Sequence, residues 1–444
     1  MNEPLSLSTA VVLVPRRAGL QAGVDNVVEV LVRIQAPAAP AGQLPERAPQ
    51  ALSLVIDRSG SMAGRPLEEA RRCAGFVIDR LRPTDAVSLV QFDHRVQRLW
   101  PAVALGDGTA LRAAIAGIEA GGNTQLHGGW REGADTLADV GGQGLRRVIL
   151  LSDGQANQGL TDPAAIAAQC AEWAAKGITT STYGLGRHFN EELMVAMARA
   201  GGGNHYYGDT AEDLMEPFQQ ELELLGNLCL RDLRIGAHAP EGVQVQMVNA
   251  LPVVDGGWRL PDLAWGAEAW AVVRLSVPSR MLPPPGGLLP VLRVTVQGQS
   301  LEGEPVQLER HGLALPVLGA AGWQALADDD LVARRLAELA AAEALTQMRA
   351  AAGRHDWAAV DGLLERASRE FADNEWVAAM LQAMRGIAAD RSRERMMKEA
   401  MYSSGKLRSR LVAIDEDVRY SIASEARSMP AYLRRKPSQG KGDV

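Results

Sequence analysis

Asp57, Ser59 and Ser61 follow one another at two-residue spacing directly after an apolar run, in LSLVIDRSGSM at 52–62. A turn closing a strand would account for such residues. The alternative is that their oxygens aim at one cation. Two other stretches bear on the choice. RRVILLSDG (146–154) repeats the plan of an apolar run followed by a carboxylate, Asp153. GGNTQLHGG (121–129) holds a hydroxyl, Thr124, among glycines that let backbone approach a ligand closely. The set is two carboxylates and three hydroxyls, without Cys or His. Oxygen-only donors favour a hard ion, Mg²⁺ before Zn²⁺, with Ca²⁺ or Mn²⁺ as alternatives. Mg²⁺ takes about six oxygens in an octahedron and gives up its waters reluctantly. On that reading Ser59, Ser61 and Thr124 bind directly, Asp57 and Asp153 partly through water, and one coordination place stays open.

These residues can meet only if the apolar runs before them lie side by side. From 51 to about 225 the pattern alternates strands and helices. Strands are predicted at 52–56, 86–92, 146–151 and 178–184, each a continuous apolar run of the kind a parallel sheet covered on both faces requires. Helices are predicted at 66–81, 109–118, 125–139, 163–176 and 190–199, with Pro66 and Pro163 in first turns, where a missing N–H costs nothing. Repeated β-α units imply a doubly wound α/β domain, whose ligands bind outside the carboxyl ends of the strands. Asp57 and Asp153 stand at such ends.

The rest of the chain reads differently. Residues 6–14 and 26–34 are β-rich, and a Pro/Ala/Gly connector follows them. After about 227, strands are predicted at 228–237, 243–249, 269–277, 288–297 and 304–317, divided by Pro and Gly clusters, which suggests an antiparallel β-sandwich. The two leading strands lack partners of their own and are expected to complete that sandwich, with the α/β domain inserted between its parts. Residues 323–400 are Ala-rich, with apolar faces at Val332, Leu336 and Leu339, at Trp357, Val360, Leu363 and Leu364, and at Trp376, Met380, Ala383 and Ile387, so a helical bundle is expected. The domain reading is therefore 1–50 leading strands and linker, 51–226 α/β, 227–320 sandwich, 321–400 bundle and 401–444 a basic, flexible tail.

A chain of 444 residues is too long for one ordinary core. Its 47% apolar and 22% charged residues are those of a soluble globular protein, and a net charge of −7 gives no general reason to expect nucleic acid. Residues 390–444 go the other way, with 13 Lys or Arg against 8 Asp or Glu. RSR at 408–410 and LRRK at 433–436 could meet an acidic protein surface or nucleic acid, although a solvated tail needs no partner. No stretch reaches the roughly 18 apolar residues of a membrane span. The start, MNEPLSLSTA, lacks the basic and apolar regions of a signal peptide. Cys73, Cys170 and Cys229 are sparse and match no metal spacing, so a cytoplasmic location is expected.

The three loops together resemble the metal-ion-dependent adhesion site of the von Willebrand factor type A (vWA) domain, which uses an Asp-x-Ser-x-Ser loop, a Thr loop and an Asp loop. The likeness covers about 51–225 and includes VSLVQFDHRV (87–96), similar to that family's strand with a Phe-Asp end. It implies binding rather than catalysis: an Asp or Glu of another protein takes the open place on the ion. Strands before and after the domain look similar to bacterial relatives of inter-alpha-trypsin inhibitor heavy chains. The leading segment is too short for their full first domain, so their extracellular roles do not carry over. Intracellular relatives of that kind imply a scaffold working beside an ATPase, kinase, phosphatase or protease, as in stress and defence systems.

Arg58, flanked by ligands, is placed to greet an acidic partner or is equally an ordinary exposed side chain; His127 could touch a partner, although a lone loop histidine is more often just a solvated side chain. Asp93 could support a ligand through water or simply cap its strand. Two rival readings stay open: a metal-dependent hydrolase, with His127 or Asp93 as its base, and a structural subunit whose metal only locks the fold.

Overall fold

The computed structural model describes residues 9–38, 49–140, 144–185, 190–208, 210–409 and 411–413. Among these, 49–226 form one compact unit and 9–38 with 227–413 another. Strands β1 (Ala10–Pro15), β2 (Leu20–Gln21) and β3 (Asn26–Gln35) come first. β1 and β3 pair antiparallel, and the buried Asn26 closes the intervening turn by accepting from Gln21 N at 2.8 Å and donating to Val24 O at 2.9 Å.

The α/β unit runs β4 (Ala51–Asp57), α1 (Arg65–Ile78), β5 (Ala86–Phe92), β6 (Val96–Ala104), α2 (Thr109–Ala116), α3 (Leu126–Ala138), β7 (Arg146–Ser152), α4 (Pro163–Ala175), β8 (Ile178–Leu185), α5 (Glu191–Ala200), β9 (Gly202–Gly208) and α6 (Ala211–Gly226). The sheet order is β6-β5-β4-β7-β8-β9, parallel except for β6. Every residue of β4 and β8 is buried, as strands covered on both faces must be. Helices α3, α4 and α5 cover one face through Leu126, Trp130, Leu137, Ile166, Met194 and Met197, which pack on Val55, Val90, Phe92, Val148 and Leu150. On the other face Phe218 of α6 stacks on Tyr183 of β8 at 3.8 Å between ring centroids.

The two edge strands escape the sequence pattern for physical reasons. β6 is half-exposed and carries Pro101, which an edge tolerates. β9, GGNHYYG, lacks apolar side chains at its start because there is no space for them: a Cβ on Gly203 would meet Thr180 O at 2.3 Å. Close approach also fixes α3. A Cβ on Gly129 would stand 2.3 Å from Phe92 Cδ1, so the helix rides directly on the strand that leads to Asp93. Gly129→Ala should therefore cost about 1–3 kcal/mol by overpacking, read as a lower urea midpoint at unchanged m-value.

The second unit continues with β10 (Leu228–His238), β11 (Gln244–Met247), β12 (Val253–Val254), β13 (Gly257–Arg259), β14 (Leu263–Ala264), β15 (Ala267–Val277), β16 (Leu288–Gln299) and β17 (Pro305–Leu318). Five helices follow, α7 (Ala320–Gln324), α8 (Asp330–Gly353), α9 (Trp357–Glu370), α10 (Glu375–Ala389) and α11 (Arg393–Ser409), then β18 (Val412–Ala413). One sheet is ordered β1-β3-β15-β11 with β18 also on β15; the other is β12-β13-β10-β16-β17-β2 with β14 on β10. β3 pairs with β15 along its own whole length, from Asn26 opposite Val277 to Gln35 opposite Glu268. Strands from both sides of the α/β segment thus share one sandwich. Leu331, Val332 and Leu339 of α8 seat the helices on Leu31, Trp270 and Val272 of that sheet.

The sequence reading placed a flexible tail from 401. Over 401–413 the structure differs: α11 extends to Ser409, with Met396, Ala400 and Leu407 in the helical core, and β18 joins the sandwich. Basic residues along α11 obscure this apolar spacing in the sequence. Residues 414–444, including LRRK, lie outside the described residues. Trp323 is half-buried, with the Arg17 guanidinium 4.5 Å over its ring. All three cysteines are free and buried. Among the described residues no helix is long and apolar enough to cross a membrane.

Candidate metal centre

β4 and β7 lie side by side and parallel, with Ile56 opposite Leu151, so Asp57 and Asp153 leave the sheet at the same edge. Beyond β4 the chain turns at once into a short 3₁₀ turn, Gly60–Met62, anchored by the fully buried Met62. Asp57 organises this turn: its Oδ1 accepts from Ser59 N at 2.8 Å, and its Oδ2 accepts from Ser152 Oγ at 2.5 Å. Ser152 in turn accepts from Gly154 N at 2.8 Å, which ties the serine loop to the Asp153 loop. Ser59 Oγ and Ser61 Oγ stand 3.1 Å apart.

Thr124 is gripped from the Asp153 side. Its N–H donates to Asn157 Oδ1 at 2.8 Å, and its carbonyl accepts from Asn157 N and Gln158 N, each at 3.1 Å. From the other side Gly60 N donates to Gly122 O at 2.9 Å. Gly122 has φ +75°, a backbone conformation that favours glycine, and a Cβ there would also displace the His94 ring. Asp57, Ser59, Thr124 and Asp153 are buried, whereas Ser61 is exposed. Burial pushes the Asp57 carboxyl up to about 6 against the Ser152 and Ser59 hydrogen bonds, and the neighbouring Asp153 charge adds to the rise.

The two residues expected to meet a partner are engaged within the unit. Arg58 pairs with Asp93 at 2.7 Å and donates to Glu119 O at 2.9 Å. His127 Nε2 lies 2.9 Å from Gln169 Oε1, and its ring packs near Trp130. Ser152 and Asn157 were not singled out in the sequence; a serine directly before a strand-end aspartate is the one sign that was available. Among the described residues no three His, Cys, Asp or Glu side chains gather as a metal cluster. The donors here are hydroxyls as much as carboxylates.

The chemistry of this set fits a small hard ion. Adjacent ligands of an octahedral ion held at about 2.1 Å are about 3 Å apart, which is the separation of the two serine oxygens. Two nearby buried carboxylates also favour a dication, since its charge offsets theirs.

Residues 52–221 match the family model described as von Willebrand factor type A domain. That segment of the chain is thus similar to a vWA domain. It is 30% identical over 202 residues to an uncharacterized protein of Synechocystis, covering 45% of this chain and 47% of that one. It is 28% identical over 187 residues to the uncharacterized protein YfbK of Escherichia coli, covering 41% and 32%. The human inter-alpha-trypsin inhibitor heavy chain H4 is 27% identical over 186 residues, 39% of this chain and 20% of that one. The matches thus span about half or less of these relatives. Among solved structures, a von Willebrand factor type A protein from Catenulispora acidiphila superposes with a TM-score of 0.68 at 18% identity, over 86% of this chain and 91% of that one. The ArnB paralog VWA2 from Sulfolobus acidocaldarius gives 0.59 at 15%, over 90% and 97%. At these identities the likeness is one of fold, and it takes in the sandwich and helices as well as the vWA unit. Domains of this type are typically non-catalytic adhesion and scaffold modules.

Proposed function

We propose that this chain is a Mg²⁺-dependent protein-binding scaffold whose vWA unit engages an acidic residue of a partner. The observation that carries the reading is the pair of serine hydroxyls 3.1 Å apart beside the buried Asp57 and Asp153. Ser59, Ser61 and Thr124 would hold the ion directly, and Asp57 and Asp153 partly through water. When bound, it supplies a Lewis-acidic point for an incoming carboxylate. The chain's part is to fix the oxygens: Ser152 and Ser59 N hold the Asp57 carboxylate, and Asn157 holds the Thr124 backbone. Because neutral hydroxyls supply most of the direct contacts, the ion keeps the electrophilic character that favours an added carboxylate.

The residues a hydrolase would use as base are otherwise employed. Asp93 accepts from Arg58 and from Arg95 N, and His127 faces Gln169. A cytoplasmic bacterial setting, beside an ATPase, kinase, phosphatase or protease in a stress or defence complex, belongs to this proposal. Its support is the set of strands flanking the vWA unit and the partial matches to proteins of Synechocystis and Escherichia coli. The test is affinity capture from native lysate with wild type in Mg²⁺, wild type in EDTA, and Asp57→Ala, each checked by circular dichroism. A protein retained by metal-loaded wild type and by neither control supports the reading. Identical captures in all three would overturn it.

A further inference from the structure

Thr124 hangs from a loop tied down at both ends. On one side Gly121 N donates to Arg58 O at 2.8 Å and Gly60 N to Gly122 O at 2.9 Å, joining the loop to the serine turn. On the other side Gln125 N donates to Asp93 O at 2.8 Å. The Arg58 guanidinium closes this frame. Its Nη2 pairs with Asp93 Oδ2 at 2.7 Å, and its Nη1 donates to Glu119 O at 2.9 Å, two residues before the loop. Asp93 is held in turn by Arg95 N at 2.7 Å and is 1% exposed, so its charge needs a partner inside the protein. The same side chain that stands between two candidate ligands therefore braces the turn carrying the third hydroxyl.

We propose that Arg58 is a positioning residue of the metal centre, one that sets where Thr124 stands relative to Ser59 and Ser61, rather than a contact for the partner. The inference rests on the metal-site reading given above. A planar guanidinium serves two acceptors in fixed directions, which a lysine ammonium on a flexible stem does not reproduce. Arg58→Lys should keep the countercharge to Asp93 and lose the bridge to Glu119.

The experiment is titration of Mg²⁺ into the full chain by calorimetry for wild type, Arg58→Met and Arg58→Lys. It is paired with amide hydrogen exchange at Gly60, Gly121 and Gln125, the three donors of the frame, in metal-free protein. Loss of a residue that orients ligands typically costs about 10–100-fold in metal affinity. Arg58→Met should weaken Mg²⁺ binding at least about 10-fold and speed exchange at the three amides. Arg58→Lys should fall between it and wild type, and it carries the test should the methionine variant fail to fold. Wild-type affinity in either variant, with only partner capture or melting temperature lowered, would overturn the inference. A wild type that takes up no Mg²⁺ would sink the metal reading instead, and unchanged exchange in Arg58→Met would then overturn the brace as well.

Discussion

In Asp57→Ala, added Mg²⁺ should no longer raise the melting temperature of the chain. For the wild type, an ion at about 100 times its dissociation constant stabilises the folded state by about 2.7 kcal/mol. For a domain of this size that is roughly 5–10 °C. The metal-free variant should lie within about 1–2 kcal/mol of metal-free wild type. Alanine strips Ser59 N and Ser152 Oγ of their acceptor, but it also removes a fully buried acid whose ionisation burial opposes. Thermal unfolding of both proteins in Mg²⁺ and in EDTA gives the answer. A variant unfolded even without metal would make Asp57 a structural residue, and one that still gains stability from Mg²⁺ would place the ion elsewhere.

The second large effect is expected far from the loops. Arg147, at the opposite end of β7 from Asp153, and Glu221 of α6 form an ion pair with side chains 2% and 0% exposed. Arg147 Nε also donates to Thr179 Oγ1 at 2.8 Å. Glu221 accepts from Ser181 Oγ and Asn204 Nδ2, both at 2.6 Å, and from Tyr206 OH at 3.2 Å. Arg147→Met leaves that carboxylate buried without its cation, a change that costs about 3–5 kcal/mol and about 10 °C of melting temperature. Arg147→Met/Glu221→Leu should recover most of the loss, because the penalty belongs to the unpaired charge rather than to the pair's absence.

The same pair has a pH signature. Burial raises the Glu221 carboxyl, but Arg147, Ser181 and Asn204 outweigh it, and the net shift is downward from 4.5. A group depressed in the folded state contributes stability that is fully present above its unfolded value. Here that contribution is lost as pH falls below about 4.5. In Arg147→Met the countercharge is gone, so this acid-side loss should begin at higher pH. Urea midpoints between pH 3 and 7 for both proteins would show it, and parallel profiles would contradict the assignment.

The parallel core was legible because its strands are continuous apolar runs broken by helical spacing, and β4, β5, β7 and β8 lie where those runs are. The donor loops were legible for the same reason: a carboxylate directly after a buried run has to stand at the sheet edge. What escaped the sequence depended on contacts rather than on pattern. β9 begins with glycines because Thr180 lies against it, and α11 hides its apolar side among basic residues. Arg58 looked exposed because sequence shows its neighbours Asp57 and Ser59, and the residues it touches, Asp93 and Glu119, come from two other loops. Asn157 was equally invisible, since its role is to hold the backbone of a residue 33 positions earlier.

The most direct test of the central claim, that three loops at one sheet edge make a single hard-ion site, is calorimetric titration of Mg²⁺ into EDTA-stripped wild type, Asp57→Ala and Asp153→Ala. Saturable binding of one ion per chain in the wild type, lost in both variants, is the predicted result. No saturable binding in the wild type, or the same binding in all three proteins, would contradict it.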